Sequence, residues 1–329
     1  MKLNIIIKKV VAIVLILTLG LPFSSKAANE YEFLQSKLNQ TLDEAKDWQN
    51  DGHKNIISIG LSNGKDDTIY NTVRFDSETD NLYLLFTFLD IKASKYVLKI
   101  FVDYEETNFF INQIEYNKYF FEAKETDSFF VQLSFPKNKI DWTKTHILTA
   151  AIFQDPQLHE GNFNLNINPS FSVDFTLMPT ENNTAQLQNI YYFYQPTTLL
   201  NIPFNGIMLN TDYNLTDNNQ VFFPPSSMDV KCGEKVKLAY RVSGGSPYVK
   251  DILFLLLVDW KQTDINNIPY MYIQNNYPKV SCEYIEFEAP NVSGQYEIVA
   301  LMSSFPFQLR NKLNCDLNSV STRFTLNVI

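Results

Sequence analysis

"LFLLLVDWKQT" (253–263) has a counterpart earlier in the chain, "VLKIFVDYEET" (97–107). Each is an apolar run closed by Val-Asp-aromatic, so Val102-Asp103-Tyr104 aligns with Val258-Asp259-Trp260. Farther on, "VQLSFP" (131–136) parallels "YIEFEAP" (284–290), and "HILTAAIFQDP" (146–156) matches "YEIVALMSSFP" (296–306) in pattern. Three features in the same order point to a duplicated unit. The apolar runs are not membrane spans. "DILFLLLVDW" (251–260) falls short of the ~20 residues a helix needs to cross a bilayer and is bounded by charges.

Working outward, strand patterns fill both units. "NIISIGLS", "TIYNTVRF", "NLYLLFTFLD", "KYVLKIFVDY", "NKYFFEA", "SFFVQLSFP", "HILTAAIFQD" and "SFSVDFTLM" are short, rich in β-branched and aromatic residues, and bounded by turn residues. Asn63-Gly64 between the first two reads as a hairpin turn. The second unit supplies "EKVKLAYRVSGG", "DILFLLLVDW", "YMYIQNN", "CEYIEFEAP", "GQYEIVALMS" and "STRFTLNVI". Before the strands, Leu34, Leu38, Leu42, Ala45 and Trp48 recur at helical spacing. The expected fold is all-β: two antiparallel sandwiches in tandem behind a short amphipathic helix. The expected boundaries are a helix over 29–53, a first sandwich over 54–178, a polar and aromatic connecting segment over 179–225, and a second sandwich over 226–329.

The second unit resembles an immunoglobulin-like domain. "GEKVKLAYRV" is similar to the second strand of such domains, and "VDW" places an aromatic on the third. "APNVSGQYEIVAL" is similar to the sixth, where Tyr296 would be the tyrosine-corner residue. The resemblance implies a fold and no activity. It departs from the antibody pattern because Ile298 stands where the second core cysteine would be and Cys232 precedes its strand. Any disulfide among Cys232, Cys282 and Cys315 is therefore of another kind, and an odd count leaves one cysteine over.

Residues 1–28 read as a secretory signal peptide: Lys2, Lys8 and Lys9, then the apolar run Val10–Phe23, then small residues around Ala27 and Ala28. Removing it takes away four lysines and no acid, which deepens the formal charge from −9 to −13. An acidic chain repels phosphate backbones, so nucleic acid is disfavoured as a partner. The expected location is secreted or extracellular, with bacterial composition in the abundance of asparagine and isoleucine.

Catalytic signatures are scarce. The three histidines, His53, His146 and His159, form no HExxH pair, and His146 opens a strand as an expected exposed edge residue. No G-x-S-x-G elbow is present. Asp103 and Asp259 occupy equivalent repeat positions, which favours a structural role in bonding turn N–H groups over an acid pair for glycan hydrolysis. Asp76, Glu78 and Asp80 alternate in "DSETDN" and offer hard oxygen ligands for calcium, though a solvated turn explains them as well.

"NIYYFYQP" (189–196) sets Tyr191, Tyr192, Phe193 and Tyr194 in a row. In a strand neighbours point to opposite faces, so the run either packs between the two sandwiches, stacks on a ligand, or enters a membrane, in that order of preference. Tyr270, Tyr272 and Tyr277 add a second aromatic group, read as an edge-like strand open to a partner. The resulting expectation is a non-enzymatic binding or assembly protein with a protein or glycan partner. A carbohydrate-binding accessory protein or glycan hydrolase is the alternative, and a membrane-active β protein the second.

Overall fold

The computed structural model describes residues 25–66, 71–76, 80–136, 140–156, 170–180, 193–196, 198–202, 204–211, 215, 227–309 and 318–329. In the strand Asp251–Val258, Ile252, Phe254, Leu256 and Val258 belong to one buried cluster, and Leu253, Leu255 and Leu257 to another. Side chains alternate across a strand, so one that is apolar at both parities has both faces buried. That condition requires another layer beyond each sandwich core, and the molecule supplies it by stacking four sheets.

The first sandwich is built from β1 (Ile56–Ser62), β2 (Thr72–Phe75), β3 (Leu82–Leu89), β4 (Ser94–Val102), β5 (Glu105–Glu106), β6 (Phe109–Ile111), β7 (Ile114–Tyr116), β8 (Tyr119–Ala123), β9 (Asp127–Ser134), β10 (His146–Gln154) and β11 (Ser170–Pro179). One sheet runs β1-β3-β9-β6-β7; the other runs β2-β11-β10-β4-β5, with β8 also on β4. The second sandwich uses β12 (Phe193–Tyr194), β13 (Thr198–Leu200), β14 (Gly206–Asn210), β15 (Ser227–Val230), β16 (Lys235–Ser243), β17 (Asp251–Val258), β18 (Lys261–Thr263), β19 (Met271–Gln274), β20 (Val280–Glu288), β21 (Gly294–Ser303), β22 (Ser319–Val320) and β23 (Phe324–Val328). Its sheets run β12-β19-β17-β21-β23-β15 and β13-β20-β16-β14. The helix α1 (Ser25–Asn50) lays Leu34 and Leu38 on Tyr83 and Leu85, and Ala45 on Ile56 and Leu89. It thereby covers the outer face of the first sheet.

The fold is mostly β, as the sequence reading expects, with antiparallel pairing broken in a repeated way. β2 joins β11 in parallel and β15 joins β23 in parallel. Two expectations need correction. Asn63-Gly64 does not close a hairpin, because β1 pairs with β3 in one sheet and β2 with β11 in the other. Instead Asn63 Oδ1 accepts from the N–H groups of Lys65 and Asp66 as the chain changes sheets. The segment 179–225 is not only a connector: β12, β13 and β14 pair with β19, β20 and β16 of the second sandwich. Strands of two to five residues carry too little alternation to be read. Residues 1–24, which hold most of the expected signal peptide, lie outside the described residues.

The duplication extends to single residues. β4 pairs with β10 at Val102↔Leu148, and β17 pairs with β21 at Val258↔Ile298. Leu148 then faces Phe175 as Ile298 faces Phe324. Asp103-Tyr104 and Asp259-Trp260 form the same two-residue turn, with φ of 53° and 66° in one and 48° and 65° in the other. Such left-handed pairs match the twist of the strands they join. Tyr296 donates from its hydroxyl to the Val292 carbonyl at 2.9 Å, the tyrosine-corner bond.

The two sandwiches meet through their equivalent sheets. Val97, Phe101, Tyr104, Ile147, Ala151 and Phe153 from the first pack against Leu253, Leu255, Leu257, Trp260, Tyr270, Tyr272, Val299, Leu301 and Phe307 from the second. Equivalent residues make equivalent reaches. Tyr104 bonds Ser303 at 3.0 Å, while Trp260 meets Phe153, the counterpart of Ser303, with ring centroids 4.8 Å apart. Where β5 meets β18, the Glu106 N–H donates to Gln262 Oε1 at 2.6 Å and the Gln262 N–H donates to Glu106 Oε2 at 2.8 Å. Glu106 and Gln262 are themselves counterparts, so the contact has approximate two-fold symmetry. Burying each large apolar side chain contributes about 1.5–3 kcal/mol. A shared layer of this breadth holds the sandwiches as one body, where a small polar contact would leave them hinged.

Candidate functional site

The aromatic residues singled out from sequence separate into two groups. Tyr270 and Tyr272 are buried between the sandwiches, where Phe307 packs on both rings at centroid distances of 6.1 and 6.3 Å. They are not an open surface: β19 lies inside the sheet, flanked by β17 and β12. Tyr191 and Tyr192 lie outside the described residues. Phe193 and Tyr194 form β12, running parallel to β19 with Phe193 opposite Tyr272 and Tyr194 opposite Ile273. The Tyr194 ring keeps 37% of its surface, and Tyr277 keeps 46%. The Tyr194 hydroxyl is held above its ordinary pKa by partial burial and then by the nearby Glu283 carboxylate.

Two further exposed residues that sequence reasoning missed, Tyr248 and Leu199, collect at the same end of the second sandwich. The register explains the convergence. Asp251 pairs with Gln274, Leu199 with Ser281 and Tyr194 with Ile273, so the loop before β17, the loop before β20 and the β12 edge all meet there. Asn275 ties the two loops, donating to the carbonyls of Ser246 at 3.1 Å and Val249 at 2.8 Å and accepting from Gly244 N–H at 3.2 Å. Both loops are thus tied together by a part-buried network, and Tyr248 and Tyr277 sit on them. Lone tyrosines in polar loops give no sequence signal for such a cluster.

The acidic and histidine candidates resolve into structural pairs. His146 is buried, not an exposed edge residue. Its Nδ1 lies 2.7 Å from Asp103 Oδ2 and its Nε2 lies 2.8 Å from the Asp141 carbonyl, while Asp103 Oδ1 accepts from Ile147 N–H at 2.9 Å. Neither ring nitrogen remains to take a proton from a nucleophile, which is the task of a general base. Burial pulls the imidazole pKa down, but the bond to Asp103 and its charge outweigh it, so the net shift is upward. A raised histidine contributes stability that is complete below its unfolded pKa and lost as pH rises through the folded one. The stability advantage of the wild type over Asp103→Asn should therefore shrink from pH 5 to pH 9. Thermal melts followed by circular dichroism across that window would show it, and a constant gap would refute the charged pair.

Asp103 and Asp259 share the turn conformation rather than a common carboxylate bond. Asp259 lies 3.5 Å from Lys118 of the other sandwich. In the suggested calcium loop, Asp80 accepts from the Asp76 N–H at 3.1 Å and is paired with Lys65, and Glu78 lies outside the described residues. Cys232 is exposed in the turn before β16, while Cys282 is buried near the start of β20 and is not bonded to it. Burial pushes the Cys282 thiol up to about 12 even though Arg241 opposes it. Cys315 and His159 lie outside the described residues. No helix among the described residues is long and apolar enough to cross a membrane.

No protein-family model matches the chain, and no curated protein is significantly similar to it. Several solved structures are distantly similar in shape. The E. coli chaperone DraB aligns over 84% of this chain and 98% of its own at 8% identity and a TM-score of 0.26. The Salmonella enterica SafA pilin in complex with the SafB chaperone gives 84%, 99%, 11% and 0.26 in the same terms. The C-terminal domain of the Streptococcus pyogenes antigen I/II-family protein AspA gives 84%, 100%, 10% and 0.25. At these TM-scores, the reading of function rests on the chain's own geometry.

Proposed function

We propose that the chain is a secreted, non-enzymatic binding or assembly protein, in which a rigid pair of sandwiches presents an aromatic rim to a protein partner outside the cell. The supporting observation is the exposure of Tyr248 and Tyr277 on two loops tied together by Asn275, at the end of the sandwich where Tyr194 of β12 and Leu199 of β13 are also exposed. Tyrosine suits such contacts because a broad apolar face and one hydroxyl combine large buried area with little rotamer entropy to lose. The buried ionisable residues contrast with this. His146 with Asp103, Lys99 with Glu106 and Arg323 with Glu297 are each engaged in holding strands or sandwiches together.

The test is binding of the purified chain to the surface of its source cells, read by flow cytometry. A Tyr248→Ser/Tyr277→Ser variant should bind about tenfold more weakly while keeping the wild-type circular dichroism spectrum. Equal binding by the two proteins overturns the reading. The same exposed rings also suit stacking on a sugar, so carbohydrate binding is the second reading; saturable signal on a glycan array, lost in that variant, would favour it. Dye release from liposomes would redirect the reading to membrane activity.

A further inference from the structure

The two-fold correspondence between the sandwiches breaks at one edge. On β17, Leu253 faces Tyr272 of β19; on β4, Val97 faces Phe120 of β8. Val97 and Leu253 are counterparts, both buried in the layer between the sandwiches. Phe120 is therefore the counterpart of Tyr272, and β8 the counterpart of β19. Their surroundings differ. β19 carries a further strand on its outer side, β12, with Phe193 opposite Tyr272, and Tyr272 is 9% exposed. β8 carries no strand on its outer side among the described residues, and Phe120 is 49% exposed.

We infer that the outer edge of β8 is an acceptor for an extended segment of a partner protein, added parallel to β8 with an aromatic residue opposite Phe120. This deepens the binding reading above and rests on it. The occupant's chemistry comes from the chain itself, since the equivalent edge already takes a two-residue aromatic strand in that direction and register. The site is also continuous with an established interface. Phe120 lies at the rim of the apolar layer through Val97, and Lys118 beside it reaches Asp259 across the layer and sits 5.9 Å over the Phe120 ring. An unpaired strand edge supplies main-chain donors and acceptors, and a neighbouring exposed ring supplies side-chain selectivity.

The probe is a fluorescein-labelled peptide with the sequence of residues 190–196, IYYFYQP, titrated against the full chain by fluorescence anisotropy. Saturable binding is expected, weakened about tenfold by Phe120→Lys, a change at a half-exposed site that circular dichroism can verify as folded. A peptide N-methylated at alternate amides should not bind, because it lacks the donors for strand pairing. A peptide bearing a photo-crosslinking phenylalanine at the Phe193 position should attach to residues 119–121. No saturable binding up to about 1 mM, or binding unchanged by Phe120→Lys, overturns the site. Crosslinks confined to β19 also overturn it, by showing exchange with β12, yet leave the aromatic-rim reading standing. A doubling of mass with concentration in light scattering, lost in Phe120→Lys, would replace the partner with a second copy and overturn the assignment as stated.

Discussion

Arg323→Ala is expected to lower the stability of the folded chain by about 3–5 kcal/mol, the usual cost of stripping one partner from a buried ion pair. Arg323 and Glu297 are 4% and 0% exposed. The guanidinium donates to the Gln154 carbonyl and, at 3.1 Å, to that of Asp155, both in the first sandwich. Its Nε lies 3.5 Å from Glu297 of the second, and its plane sits 4.9 Å over Trp260. Burial draws its pKa down to about 10 against the opposing Glu297 charge. Truncation would take the counter-charge from the buried Glu297 carboxylate, which keeps the Thr325 hydroxyl at 3.1 Å, and would remove the guanidinium donors from the Gln154 and Asp155 carbonyls. The thermal midpoint should fall on the order of 10 °C, and small-angle scattering should show a larger radius of gyration as the sandwiches part. Arg323→Met with Glu297→Leu should recover most of the loss, since an apolar pair of similar volume is often neutral or better. A single variant that melts with the wild type would show that the pair does not join the sandwiches.

Trp260→Ala should be of similar size, about 3–5 kcal/mol, through the cavity left when a buried aromatic is removed. The indole is 2% exposed, between Phe153 and Arg323. Trp260→Tyr provides the internal control, because Tyr104 already occupies the counterpart turn and meets Phe307 at a centroid distance of 5.0 Å. It should recover part of the loss in denaturant titration with an unchanged m-value. If Trp260→Ala unfolds only the second sandwich, leaving a separate transition for the first, then the shared layer contributes little to cooperativity.

Much of this architecture was legible in the chain. Alternation in "EKVKLAYRV" and the Gly-x-Tyr of "SGQYEIVAL" give the second sandwich, and the repeated Val-Asp-aromatic gives the duplication. The way the halves meet was not read from the sequence, although a signal was present. "LFLLLV" and "VLKIFV" are apolar at both parities, which only a doubly covered strand needs. The aromatic run attracted the interface assignment instead, because four rings are conspicuous whereas leucines at the second parity look like ordinary core. Trp260 was expected on the third strand; it occupies the turn after β17, where the left-handed backbone aims it at the other sandwich. Tyr248 and Leu199 were invisible because their convergence depends on pairing across the sheet rather than on spacing along the chain.

The reciprocal Glu106–Gln262 contact has a consequence for how the halves stay together. Two separate copies joined through such a face would come apart on dilution, since their association depends on how often they meet. Carrying both on one polypeptide replaces that encounter with a fixed effective concentration set by the tether. It also releases each half from having to match itself, which is why Lys99 and Asp174 in one can stand where Leu255 and Arg323 stand in the other.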